Sequence, residues 1–269
     1  MVDSIDLEKY FDRIGYAGLR TPSVEVLHAL TQAHAQSIPF ENLDALLGQT
    51  IRLEPDALYR KLVLSRRGGY CFEQNGLFLE VLTRLGFTVY PLRAAVRMAE
   101  PDRRVALGHT HLVLEVRIDG ESWITDVGVG AASLTRALHL VADIEQRTPH
   151  DTRRLQREAG KWFHQVWRGE SWADVYEFGG EAMPRPDRII ANWYTSTHPD
   201  SKFRRELFVA RALPGGRRVS LHNYQLLLSG ADGTAETRQI LDPNQLLDVL
   251  RERFDIHLPK ATRFKLELA

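Results

Sequence analysis

A single cysteine, Cys71, is the only thiol in this chain of 269 residues, so no internal disulfide can form. Net charge is missing as well: 35 basic side chains stand against 35 acidic ones, which leaves no overall field to favour nucleic acid or an anionic membrane. No uninterrupted apolar stretch approaches the ~20 residues that span a bilayer, so a membrane protein is not expected. The N-terminal run MVDSIDLEKYFDRIGY is charged throughout and lacks the basic start and apolar core of a secretion signal, which makes a cytoplasmic location the expectation. Repeats and low-complexity segments are absent too. With 43% hydrophobic and 26% charged residues, the remaining class is a globular protein large enough for two or three packed parts.

The first third has helical periodicity. Helices are expected at Leu7–Ile14, after Thr21-Pro22-Ser23, after Pro55, and from Cys71, where Leu77, Phe78, Val81, Leu82 and Leu85 share a face before Gly86 stops the run. Beyond Gly86 the period becomes two. FTVYPLRAAVRM, HTHLVLEVRI, SWITDVGVG, WFHQVWRG and ADVYEF are expected as antiparallel strands, with loops at 99–104, 143–161 and 179–188 and the arginines of RRLQRE on a solvated face. From Ile189 a helix is expected, then a hairpin around Pro214-Gly215-Gly216, and a closing helix, LLDVLRERF, opened by Asp242-Pro243. The fold class is α+β.

Cys71 follows Gly68, Gly69 and Tyr70 at the start of a helix. Helix-terminal amides favour a thiolate and can hold an oxyanion, and the glycines would let a substrate reach the backbone. The bland alternative is a small buried hydrophobe in a structural role. A base for the thiol is available in GHTHLVLEVRIDGESWITDVGVG. Asp119-Gly120 is a two-residue hairpin turn, and pairing Ile118 with Glu121 sets Val113 opposite Asp126 and His111 opposite Gly128. His111 and Asp126 are then diagonal neighbours about 7–8 Å apart at the backbone, on the face opposite Leu112, Leu114, Val116 and Ile118. A carboxylate beside the imidazole would orient it and stabilise its cation, in the manner of a cysteine-protease-like Cys-His-Asp triad. Two other readings use the same residues: a metal site of His109, His111 and Asp126 or Cys71, and a plain polar cross-strand pair. The glycine-rich run 128–133 lacks the lysine of a nucleotide-binding loop.

These residues resemble the arylamine N-acetyltransferases. The likeness rests on RGGYCFEQN at 67–75, on IPFENL at 38–43, on the His111/Asp126 hairpin and on THPDSKF at 197–203, and so spans nearly the whole chain. It implies a helical bundle over 1–88 bearing Cys71, an antiparallel β-barrel over 89–188 bearing His111 and Asp126, and an interdomain helix with an α/β lid over 189–269. It also implies that Cys71 accepts an acetyl group from acetyl-CoA, that His111 activates it, and that Asp126 orients His111. The acceptor would be an aromatic amine, hydrazine or N-hydroxyarylamine. Acetyl-CoA would be a co-substrate, with no permanently bound cofactor and no metal. Phe40, Tyr70, Phe72, Thr110, Gly128, Val129, Gly130 and Phe203 are expected to bind the substrates. The chain departs from the family's usual pattern at Val129, commonly Phe, and at Thr125, commonly Val. By its triad alone, a cysteine hydrolase or transglutaminase-like enzyme is the rival chemistry, and a non-catalytic binding protein is the rival class.

Overall fold

The computed structural model describes residues 5–242, 244–264 and 266. The Asp6 carboxylate accepts from the amides of Glu8 and Lys9 to start α1 (Leu7–Ile14), and Ser23 caps α2 (Val24–Ser37) by accepting from Val26. A two-residue strand, β1 (Phe40–Glu41), and a short α3 (Leu43–Leu46) follow. Pro55 opens α4 (Pro55–Tyr59), which continues through a π-helical turn, and α5 (Cys71–Arg84) closes the helical third.

Eight strands come next: β2 (Thr88–Val96), β3 (His111–Ile118), β4 (Glu121–Thr125), β5 (Leu138–His139), β6 (Gln146–Arg147), β7 (Thr152–Glu158), β8 (Lys161–Trp167) and β9 (Trp172–Ala182). They form one antiparallel sheet in the order β5-β4-β3-β2-β9-β8-β7-β6. Its two ends curl together. Ala142 bridges to Leu155, and the Gln146 side chain bonds both the amide and the carbonyl of His139, so the sheet is a nearly closed barrel. After α6 (Arg185–Thr197) come β10 (Phe208–Ala212), β11 (Arg218–His222), β12 (Gln225–Ser229), β13 (Ala235–Gln239) and α7 (Gln245–Phe254). Pro243, expected to help open this last helix, lies outside the described residues. The second sheet has the order β1-β10-β11-β12-β13, so a strand from the helical third forms its edge.

Several expectations are corrected. The segment 143–161 is not a loop: it holds β6 and β7, and Arg153 of RRLQRE is 1% exposed, because Asp151 pairs with its guanidinium inside the barrel. The segment 179–188 carries the end of β9 and the start of α6. DVGVG is not strand, since β4 stops at Thr125 and the chain leaves the sheet at Asp126. Strand β3 is buried on both faces. Leu112, Leu114, Val116 and Ile118 pack with the core of the helices, whereas Val113 belongs to the barrel's own interior. Among the described residues no helix is long and apolar enough to cross a membrane.

Candidate active site

The loop before α5 is locked before it can present Cys71. Glu41 donates its amide to the Gly69 carbonyl, and Gly69 donates to Pro39. A Cβ on Gly68 would sit 2.0 Å from the Pro39 carbonyl oxygen, and one on Gly69 2.7 Å from Glu73 Cβ. Contrary to the expectation of substrate approach, the space beside these glycines is filled by the protein's own backbone and side chains. Glu73 accepts from the Tyr70 amide at 3.1 Å, closing the helix start. Beneath the loop, the carboxylates of Glu41, Asp44 and Glu73 face Lys61 and Arg67 at 2.6–2.9 Å. With three acids to two bases, burial holds the Glu73 pKa up to about 7 against the pull of Lys61.

Cys71 is the first residue of α5 and 4% exposed. The first amides of a helix have no intrahelical acceptor, so those at Cys71 and its neighbour point out of the helix start beside the thiol. The thiol donates to the Thr110 carbonyl at 3.7 Å, immediately before His111 at the start of β3. The hairpin has the expected register, Ile118 opposite Glu121 and Leu114 opposite Thr125, around a turn in which Asp119 and Gly120 have φ of 51° and 84°. That register delivers Asp126 to His111: Nε2 lies 2.7 Å from Asp126 Oδ2, and both side chains are buried. Burial alone would depress the His111 pKa. The charge and hydrogen bond of Asp126, and then Cys71, overcome it and hold the pKa up at about 10.

Asn75, one turn after Cys71, is a member of the site that the sequence reading does not single out. Its Nδ2 donates to Asp126 Oδ1 and to the Leu112 carbonyl, both at 2.7 Å, and its Oδ1 accepts from the Val127 amide. The Gly128 amide adds a further bond to Asp126 Oδ1 at 2.9 Å. The carboxylate thus has a donor on each oxygen. The signal that points to Asn75 is its i+4 spacing from Cys71, which puts both on one helix face. Tyr176 is a second such residue; its ring lies 5.3 Å from that of His111 within the barrel.

Gly128 lets this run pass α5 closely. A Cβ there would lie 2.8 Å from Cys71 Cα and 2.9 Å from Asn75 Nδ2. Gly128→Ala is therefore expected to cost about 1–3 kcal/mol, lower Tm by several degrees in a thermal melt, and cut turnover by more than the stability loss explains.

An aromatic cluster flanks the thiol. Phe203 is 5.7 Å from Tyr70 and 6.2 Å from Phe40, and Tyr70 is 5.7 Å from Phe72. The Tyr70 hydroxyl is anchored to Asn192 of α6, and Gly130 abuts the Phe40 ring. Val129 is buried in the barrel cluster near Ala132 and Leu134. His109 is exposed on the loop before β3, and among the described residues no group of three or more His, Cys, Asp or Glu side chains could hold a metal.

Comparison with known proteins bears on this arrangement. The N-acetyltransferase family model matches residues 23–263. The chain is 37% identical to the arylamine N-acetyltransferase of Escherichia coli K12, over 95% of this chain and 90% of that one. Its structure resembles that of the arylamine N-acetyltransferase from Mycobacterium tuberculosis, with a TM-score of 0.89 at 39% identity and 93% of each chain covered. The Mycobacterium marinum arylamine N-acetyltransferase in complex with CoA matches equally well, with a TM-score of 0.89 at 35% identity over 93% of each chain.

Proposed function

The chain belongs to the arylamine N-acetyltransferase family, and from that membership we propose that it moves the acetyl group of acetyl-CoA to an arylamine, arylhydrazine or N-hydroxyarylamine through a thioester on Cys71. One observation carries the mechanism: the buried contact of His111 Nε2 with Asp126 at 2.7 Å, beside the Cys71 thiol, with the imidazole's pKa held up. Asp126 takes Nε2, which leaves Nδ1 as the ring nitrogen for the thiol proton. Cys71 Sγ attacks the acetyl carbonyl, the C–S bond to CoA breaks, and His111 returns a proton to the departing CoA sulfur. The amine then attacks the thioester, its proton passes to His111, and the Cys71 sulfur leaves. The amide at Cys71 supplies a donor for the oxyanion in both halves.

Phe40, Tyr70, Phe72 and Phe203 suit the flat ring of the acceptor, Val129 in place of the family's usual Phe bears on which acceptor fits, and Thr110, Gly128 and Gly130 complete the substrate-binding set. The parts divide as 1–88, 89–188 and 189–269, the last acting as a lid. The contact of Phe203 with Tyr70 and the anchoring of Tyr70 to Asn192 support that role, since they bring the C-terminal third against the residues beside the thiol. A lid that keeps water out also disfavours the hydrolase reading.

The test is direct. Acetyl-CoA without amine is expected to add one acetyl group to the protein by intact mass spectrometry, and an arylamine should remove it. Double-reciprocal initial-rate lines against both substrates should be parallel. Intersecting lines with no acetylated protein in a single turnover would replace the thioester by direct transfer in a ternary complex.

A further inference from the structure

On the outer side of the barrel, between α2 and the β4–β5 edge, lies a cleft of about 290 Å³ lined by His28, Trp123, Arg136, His139, Gln146 and Arg147 among others. It shares none of the residues assigned above to catalysis or substrate binding. Its floor is aromatic: the rings of Trp123 and His139 stack 4.7 Å apart at 21°, and His28 meets Trp123 edge-on at 5.3 Å. Its rim is cationic, and among the described residues neither the Arg136 nor the Arg147 guanidinium has a hydrogen bond or a carboxylate partner within the molecule. Two buried nitrogens also lack partners, His28 Nδ1 and the indole Nε1 of Trp123.

A buried indole N–H can only donate, so its missing partner is an acceptor. Leaving such a donor unmatched costs about 1–3 kcal/mol. Glu121 approaches His139 Nε2 to 3.8 Å, is more than half exposed, and pairs with neither arginine. His28 is uncharged at neutral pH, because burial and the neighbouring Arg136 push its pKa down to about 4 against the weaker pull of Glu25. The cleft therefore pairs an aromatic stack with two unmatched guanidinium groups.

We propose that this cleft is a second binding site, distinct from the acetyl-transfer centre, for a small aromatic acid whose ring extends the Trp123–His139 stack and whose carboxylate bridges Arg136 and Arg147. Planar guanidinium groups suit a carboxylate because each can donate two parallel bonds. The volume is at the small end of the range for ligand sites, about 300 Å³, and limits the occupant to one or two rings.

The experiment is calorimetric titration of the full chain with benzoate, benzylamine and inorganic phosphate. Benzoate is expected to bind saturably at one site, with benzylamine and phosphate each at least tenfold weaker, since one has the wrong charge and the other no ring. The double variant Arg136→Ala/Arg147→Ala alters only exposed side chains and should weaken benzoate at least tenfold with an unchanged Tm. Trp123→Leu removes one ring of the stack and should weaken benzoate to a smaller extent, at least threefold, and unchanged affinity in that variant would remove the aromatic stack from the site. Equal binding of benzoate and benzylamine, phosphate binding as tight as benzoate, no saturation, or benzoate affinity indifferent to the double arginine substitution would each overturn the assignment.

Discussion

Cys71→Ala is expected to lower acetyl transfer at least about 10⁴-fold, because a nucleophile and its base act as a unit and removing either abolishes the covalent route. The protein should remain folded. Cys71 is buried, but its sulfur makes one weak bond, to the Thr110 carbonyl, and its loss costs on the order of 1 kcal/mol. A thermal shift of a few degrees is the most that this allows. Acetyl-CoA should leave the variant's mass unchanged, whereas the wild-type chain gains an acetyl group. A rate within tenfold of wild type in a folded Cys71→Ala protein would remove Cys71 from the reaction.

How much of this centre is legible in the sequence depends on whether local chemistry or distant packing decides each residue. Asp119-Gly120 fixes a turn by backbone conformation alone, so the His111–Asp126 pairing can be read from the hairpin's residues. Cys71 at a helix start is legible for the same reason, since the apolar spacing that follows it is helical. Asn75 is not: its position on α5 is local, but its bonds to Asp126 and Val127 exist only once the barrel docks on the helix. TRRLQRE hides a strand because charge usually marks solvent, and nothing near Arg153 in sequence tells that Arg218, from the C-terminal sheet, shares the Asp151 carboxylate with it. Two residues, Phe40 and Glu41, are too few to show a period, so nothing local announces that they join the C-terminal sheet. The glycines stand where expected but for a different reason; what they admit is Pro39 and Glu73 rather than substrate.

Asp126→Asn is expected to reduce turnover about 10³- to 10⁴-fold while sparing the hairpin. All three partners of the carboxylate are donors: Asn75 Nδ2 and the Gly128 amide on one oxygen, and His111 Nε2 on the other. An amide has only one acceptor oxygen. If that oxygen faces Asn75 and Gly128, its NH₂ faces His111, Nε2 must accept, and the proton moves to Nδ1, where it blocks uptake from Cys71. If it faces His111 instead, two buried donors meet an NH₂ group, at about 1–3 kcal/mol. Stability gives an independent reading with a defined sign. A histidine whose pKa rises on folding, from about 6.5 to the value of about 10 held by Asp126, contributes fully below pH 6.5, and that contribution is lost as pH climbs through 10. Without Asp126, burial is left as the main influence on His111 and pushes its pKa down. Denaturant titrations should therefore show the gap between wild type and Asp126→Asn widest near pH 6 and narrowing, by a few kcal/mol, toward pH 10. A gap that stays constant over that range would mean that Asp126 does not govern the protonation of His111, and the base assigned to Cys71 would have to be sought elsewhere.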